Sequence, residues 1–253
     1  MTTRRSIVIG DVHGCLEELD ELLVCLERKP TDRLIFLGDL MDRGPDPIGV
    51  VRRVRELGAE CVLGNHEEKH LRWARHEAKR KSQPRYRNPM QPFEGDGLAQ
   101  HAALTADDLA WMIALPKLVT IEGSATTPDW LVVHAGLWPG KPLATQKEGV
   151  MLRLRYVTAE GDPVRGDDPT VMPRGAHPWA TRWRGPESVV YGHAVHDLAT
   201  PRVDRPAEGV ECWGIDTGCC FGGALTALVL PSREVVSVKA KQVHQAMRPV
   251  RLG

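Results

Sequence analysis

Five short apolar runs, each followed at once by a cluster of metal-ligating residues, constrain this chain more than any other feature. The runs are Ser6-Ile7-Val8-Ile9, Leu34-Ile35-Phe36-Leu37, Cys61-Val62-Leu63, Leu131-Val132-Val133 and Ser188-Val189-Val190-Tyr191. The clusters after them are Gly10-Asp11-Val12-His13-Gly14, Gly38-Asp39-Leu40-Met41-Asp42-Arg43-Gly44, Gly64-Asn65-His66-Glu67, His134-Ala135-Gly136 and Gly192-His193. Short runs rich in Val, Ile and Leu read as strands buried on both faces. Polar groups at the ends of such strands are where an open α/β sheet places its chemistry. Singly, each cluster has an ordinary explanation: a turn, a hydrogen-bonded core histidine, or the turn chemistry of Gly44-Pro45. Five strand ends that each carry a ligand type point instead to one shared metal centre.

The clusters spread from residue 11 to residue 193, and a single site has to gather them. The expected organisation is therefore one α/β domain over residues 1–253, a length that buries a substantial core. Lys+Arg and Asp+Glu are both 33, so the formal net charge is zero. That balance argues against general nucleic-acid binding, though a local basic groove stays open. No run has the length needed to span a bilayer, and Arg4-Arg5 lacks the apolar stretch of an export signal, so a cytoplasmic location is expected. The cysteines at 15, 25, 61, 212, 219 and 220 sit mostly in apolar settings without a CxxC pair. Reduced thiols are expected, with neither a disulfide framework nor a Cys-rich zinc site.

Apolar residues at 16, 19, 22, 23 and 26 predict an amphipathic helix over 15–28, ended by Pro30, and a second helix is expected over 47–57 with Gly58 as its stop. Strand-helix units in series imply parallel pairing. The pattern over 67–80 is helical but strongly charged, and residues 69–87 hold eight basic residues against one acid, Glu77. Residues 82–97 read as a loop, and a further helix is expected near 106–115. Residues 69–105 thus look like a basic insertion beside the site. Residues 158–187, rich in Pro, Gly, Asp and Arg, read as a second long loop. The last third, with strands expected at 212–215, 224–230 and 235–240, looks like a mainly antiparallel second sheet.

Asp11 and His13, two residues apart on a strand-end turn, can converge on one cation, and Asp39 can bridge to a second. Asn65, His134 and His193 would complete the second ion. Mixed oxygen and nitrogen ligands suit Mn²⁺, Fe or Zn²⁺ better than Ca²⁺ or Mg²⁺. Two such ions roughly 3.5–4 Å apart generate a bridging hydroxide that attacks phosphorus in line, with no covalent intermediate. His66 is then placed to protonate the leaving oxygen, Asp42 to hold the other imidazole nitrogen, and Arg43 to grip phosphate.

Taken together, the five clusters resemble the phosphoprotein phosphatase branch of the calcineurin-like metallophosphoesterases, over residues 8 to about 230. The resemblance implies a calcineurin-like sandwich of two mixed β-sheets flanked by helices, and two divalent ions, with Mn²⁺ expected first. It implies the same assignment: Asp11, His13 and Asp39 on one ion; Asp39, Asn65, His134 and His193 on the other; His66 as acid backed by Asp42; Arg43 on phosphate. The family also carries a second phosphate-binding arginine, for which Arg153, Arg155, Arg182 and Arg184 compete. Met151-Leu-Arg-Leu-Arg-Tyr156 favours Arg153 or Arg155.

The ending Ile215-Asp-Thr-Gly-Cys-Cys-Phe-Gly-Gly-Ala resembles bacterial symmetrical diadenosine tetraphosphatases and the phosphatase module of polynucleotide kinase-phosphatases. Phage and bacterial protein phosphatases share its Ile-Asp-Thr-Gly core, and Asp42 departs from the usual tetraphosphatase pattern. The leading expectation is hydrolysis of dinucleoside polyphosphates or nucleotide-like phosphates, and the alternative is a phosphoserine or phosphothreonine protein phosphatase. A binding module without catalysis has no support, since every expected ligand and His66 are present. An ordinary solvated face is expected for the basic segment, with binding of extra phosphates as the alternative. For Trp179 and Trp183 core packing is expected, with base stacking as the alternative.

Overall fold

The computed structural model describes residues 4–93, 95–124, 127–164, 171–247 and 251–252. Residue 94 and residues 165–170, which belong to the two expected loops, lie outside the described residues, as do residues 1–3. The first three apolar runs form β1 (Ser6–Ile9), β2 (Arg33–Phe36) and β3 (Glu60–Cys61), all parallel. The crossovers are α1 (Leu16–Cys25) and α2 (Pro47–Glu56). Helix α1 stops at Cys25 with Leu26 as its cap, a few residues short of the expected end. Helix α2 starts where its sequence directs. The Asp46 side chain accepts from the Gly49 amide at 2.7 Å, and Pro47 fills the first helical position, where no amide donor is needed.

The remaining strands are β4 (Leu118–Ile121), β5 (Trp130–Val133), the two-residue β6 (Tyr156–Val157), β7 (Pro163–Val164), β8 (Val171–Met172) and β9 (His177–Pro178), then β10 (Ser188–Tyr191), β11 (Arg202–Ala207), β12 (Val210–Gly214), β13 (Ala224–Leu230), β14 (Glu234–Lys239) and the short β15 (Arg251–Leu252). Two five-stranded sheets result, in the orders β14-β13-β1-β2-β3 and β11-β12-β10-β5-β4. Each is mixed: in the first, β1, β2 and β3 are parallel and β13 and β14 add antiparallel pairings on one side, whereas in the second a parallel β12-β10-β5 core has antiparallel β11 and β4 at its edges. One expectation is corrected here. The C-terminal strands do not build a second sheet together: β13 and β14 extend the first sheet antiparallel to β1, while β12 pairs parallel with β10. All seven residues of β13 are buried, as suits a strand with neighbours on both edges and packing on both faces.

Alternation along the strands separates the layers. Val8, Ile35, Val132, Val190 and Leu228 meet between the two sheets. Ile7, Ile9, Ala227 and Val229 turn outward under Leu19 and Leu22 of α1 and Val50, Val51 and Val54 of α2. On the far side, Leu131, Val133, Val189 and Tyr191 are covered by Leu154, Val157, Trp179, Ala180 and Trp183. Trp179 and Trp183 are thus core residues with both indole nitrogens bonded to backbone carbonyls, of Ala135 and Glu187, and base stacking is ruled out for them. Part of the expected 158–187 loop is therefore ordered covering: β6, β7 and β9 pair and a 3-10 turn follows at Trp179–Arg182.

The 69–105 segment adds α3 (Asn65–Ser82) and α4 (Gly97–Ala103), and α5 (Ala106–Ala114) follows. Helix α3 begins two residues earlier than its charge pattern suggests, so Asn65 and His66 form its first turn. The third residue of that turn, Glu67, is wholly buried. Its carboxylate accepts the amides of Asp39 (2.8 Å), Leu40 (2.8 Å), Met41 (3.1 Å) and Gly64 (3.1 Å). Burial, then the nearby Asp39 charge, pushes its pKa up to about 8, while the amides of Met41, Asp39 and Leu40 favour the carboxylate. The loop after β2 and the start of α3 are therefore tied by one side chain. Replacing Glu67 with Gln turns an amide N–H toward backbone N–H donors, and should cost about 3 kcal/mol in urea unfolding; an unchanged midpoint would show the clamp to be dispensable.

At the opposite end of β1, the nearly buried Asp32 accepts Arg5 at 2.6 and 3.2 Å and the Lys29 amide at 2.8 Å. The Arg5 hydrogen bond holds Asp32 below its ordinary value of 3.8. A lowered folded value means the stabilisation is complete above about 3.8 and disappears as pH falls through the folded value. D32N should therefore destabilise by about 2 kcal/mol at neutral pH, with the gap to the parent closing in acid melts near pH 3 and below.

Candidate metal centre

The five clusters meet at the carboxyl ends of β1, β2, β3, β5 and β10, across the junction of the two sheets. Backbone bonds knit the loops: the Val12 and His13 amides donate to Asp39 O, Gly14 N to Leu40 O, and Gly192 N to His134 O. Among the described residues, seven non-glycine positions have positive φ, and five are His13, Asp39, Asp42, Arg43 and His193. Left-handed backbone concentrated in one place is the mark of loops shaped for chemistry. Glycines permit the close approach: a Cβ on Gly192 would collide with Asp11 Oδ1, and one on Gly38, at φ +81°, would sit 2.5 Å from Gly64 N.

Asp39 is the centre of the arrangement. Its Oδ2 faces His13 Nε2 at 3.5 Å and His66 Nε2 at 3.9 Å, and its Oδ1 faces His134 Nε2 at 3.4 Å. The donor atoms of His13, Asp39 and His66 lie within 4.8 Å of one another, as do those of Asp39, His134 and His193. Two donor groups sharing one carboxylate is the geometry of a bridge. Tautomers are fixed from outside. His13 Nδ1–H donates to Met41 O at 2.8 Å and His134 Nδ1–H to Leu37 O at 2.7 Å; a carbonyl only accepts, so each Nε2 keeps its lone pair for the site.

Burial lowers the pKa of His13, His134 and His193, which keeps those imidazoles neutral and able to ligate. His134 Nε2 and Asn65 Oδ1 lie 3.0 Å apart with a lone pair each, and the Oδ1 of buried Asp11 has no hydrogen-bond partner. Burial, followed by the charges of Asp216 and Asp39, raises Asp11 well above its ordinary value. A cation would satisfy all three observations at once, so the residues present fit a divalent metal. Asp11 stands just outside the tight donor groups, with Oδ2 accepting the His193 amide at 3.0 Å. A third donor group, Cys15, Glu18 and Cys219, lies deeper, but Glu18 already accepts the Lys241 amide and Cys15 donates to His13 O. All six cysteines are free thiols.

Around the donors, His66 Nδ1 is 2.6 Å from Asp42 Oδ2, and its Nε2 lies 3.2 Å from Arg43 Nη2. The other Arg43 nitrogen reaches His13 Nε2, and the guanidinium lies 5.0 Å over the Phe221 ring. Arg155 donates to His193 O at 3.3 Å, and its charge acts on His193 and Asp216. Arg153, exposed, pairs with Glu68 on α3 at 2.5 Å. Arg182 and Arg184 are directed elsewhere, to His177 and Glu160 O. Three residues at the site carried no sequence expectation. Glu67 sits at the third helical position, a spacing known for reaching back to the preceding amides. His70 lies one turn beyond His66. Asp216 follows β12 as the other acids follow their strands, and burial raises its pKa to about 6.

Comparison with known proteins agrees with this geometry. The model of the calcineurin-like phosphoesterase family matches residues 4–204. A bis(5'-nucleosyl)-tetraphosphatase of the asymmetrical type from Halalkalibacterium halodurans is 34% identical, over 93% of this chain and 94% of its own. A symmetrical bis(5'-nucleosyl)-tetraphosphatase from Bordetella pertussis is 32% identical over 92% and 95%. A solved structure described as a candidate diadenosine tetraphosphatase superposes with a TM-score of 0.73 at 30% identity, covering 94% of this chain and 95% of that one. The chain belongs to the calcineurin-like phosphoesterase family and is a metal-dependent hydrolase of phosphate esters and anhydrides.

Proposed function

We propose that this chain hydrolyses dinucleoside polyphosphates, with diadenosine tetraphosphate as the leading substrate, at a centre of two divalent ions. The observation that carries the reading is the Asp39 carboxylate, with one oxygen toward His13 and the other toward His134. Asp11, His13 and Asp39 would hold one ion, and Asp39, Asn65, His134 and His193 the other. Mn²⁺ is the first choice, with Fe and Zn²⁺ also matching this donor set. When bound, such ions neutralise phosphoryl charge and acidify the attacking water. We read the chain as one domain over 1–253 with an insertion at about 69–105, since clusters from residue 11 to residue 193 share the site.

The protein's own groups then divide the work. Arg43, braced by Phe221, offers a planar fork to the phosphoryl oxygens. Arg155 is the stronger candidate for the second phosphate contact, because Arg153 is committed to Glu68 while Arg155 borders His193. His66 protonates the departing oxygen from Nε2, and Asp42, bonded at Nδ1, sets the ring plane and stabilises the imidazolium. Lys69 and the Glu68-paired Arg72 and Arg153 give this edge a positive rim that suits a chain of phosphates. The wide coverage by tetraphosphatase relatives supports the same substrate class over a phosphoprotein.

Purified Mn²⁺-loaded protein should show a higher kcat/KM on diadenosine tetraphosphate than on a phosphoserine peptide; a peptide rate tenfold better would reverse the substrate order. Product analysis also separates symmetrical cleavage, which yields two ADP, from asymmetrical cleavage, which yields ATP and AMP. D39N should abolish binding of both ions in elemental analysis, whereas H66N should keep them and lose about 10²–10⁴ in kcat. Full turnover by H66N would remove that imidazole from the mechanism.

A further inference from the structure

Asp42 holds more than one imidazole. Its Oδ2 meets His66 Nδ1 at 2.6 Å, and its Oδ1 meets His70 Nε2 at 3.0 Å. His70 lies one helical turn past His66 on α3 and is wholly buried. Its other nitrogen is 3.2 Å from Nδ1 of His101 on α4. The Phe93 ring stacks on both, with centroids 4.6 Å from His70 and 5.6 Å from His101, and Lys69 Nζ lies 4.6 Å over that ring and 3.6 Å from Asp42. A buried histidine of this kind needs a partner for each ring nitrogen, and here one partner is the carboxylate beside the catalytic imidazole.

We propose that His70 is a positioning residue for leaving-group protonation, and that the inserted segment acts on catalysis through the row His66–Asp42–His70–His101. The inference rests on His66 as the acid, as read above. The hydrogen atoms fit the row. Asp42 accepts Nδ1–H from His66 and Nε2–H from His70, so the second nitrogen of His70 is left to accept Nδ1–H from His101. Burial, then the neighbouring His70, lowers the pKa of His101, in keeping with a neutral ring at the end of the row.

The physical effect is orientation. Asp42 sits on left-handed backbone at φ +66°, and a carboxylate bonded through one oxygen can rotate about its last torsion. Bonded through both oxygens to imidazoles on α3, it has one plane, and that plane fixes the His66 ring. Phe93 and His101 in turn hold His70, so the residues that cover the site also aim its proton donor. Groups that orient a functional side chain in this way typically carry 10–100-fold in activity.

The test uses the Mn²⁺-loaded full chain and two aryl phosphates. Phenyl phosphate has a poor leaving group that needs an acid, whereas 4-nitrophenyl phosphate departs with little help. H66N sets the reference and should lower the phenyl ester far more than the nitrophenyl ester. H70F keeps an aromatic ring against Phe93 but has no N–H; it should lower kcat for the phenyl ester about tenfold and for the nitrophenyl ester less than threefold. On diadenosine tetraphosphate it should cut kcat while KM stays within twofold. H70Q, whose amide reaches the Nε2 position, should restore most of the loss. Equal effects of H70F on both esters, or a rate on the tetraphosphate that changes only through KM, would overturn the positioning role while leaving His66 in place. Loss of leaving-group discrimination by the H66N reference itself would overturn the acid assignment and this inference together.

Discussion

Glu67 holds the rest of the site in shape. A carboxylate with no solvent exposure, fastened to four main-chain amides, fixes the loop that carries Asp39, Asp42 and Arg43 against the helix that carries Asn65, His66 and His70. In the proposed mechanism those side chains would need sub-ångström placement to share ions or protons, and loops alone seldom supply it. The clamp transfers the rigidity of α3 to the turn after β2. The unusual backbone angles at Asp39, Asp42 and Arg43 persist because that turn is over-determined from several sides.

Much of this was legible in the sequence, and for physical reasons. Strands β1, β5 and β10 announced themselves as apolar runs, because strands covered on both faces have no solvent side to encode. The ligand clusters stood out because their residue types sit at the one end of a parallel sheet where chemistry collects. The arginine proposed for the second phosphate contact was less clear. Arg153 and Arg155 are two residues apart, and they are separated by their surroundings: Arg153 is exposed and pairs with Glu68, whereas Arg155 reaches His193 O. What the pattern could not convey was partnership. Residues 224–230 plainly form a strand, but an apolar segment carries no address for its neighbour, and its place beside β1 is settled by packing between the sheets. Helix α4, seven residues after a glycine-rich turn, is too short for a periodicity to emerge.

The insertion shows a related limit. Its charge suggested a solvated face, and most of it is one: Arg80 pairs with Glu77, and Lys79 lies over Tyr86. Its inner face carries different content, with His70, Phe93 and His101 stacked behind Asp42. Composition averages over both faces, so a buried polar row inside a basic segment is hidden until three-dimensional neighbours are known. The two tryptophans show the reverse case, a residue type suited to recognition that serves as the floor under Tyr191 and Val189.

Asp39 and Asn65 come from one sheet and its following helix, whereas His134 and His193 come from the other sheet. In the proposed two-ion centre, cation occupancy would be coupled to how the two halves of the sandwich dock. By mass action, ions that bind only the docked state deepen its free-energy well, so the resistance of the fold to heat should track ion concentration. Side chains between the sheets, such as Val132 and Leu228, would then act on ion affinity through the registration of one β-layer over the other.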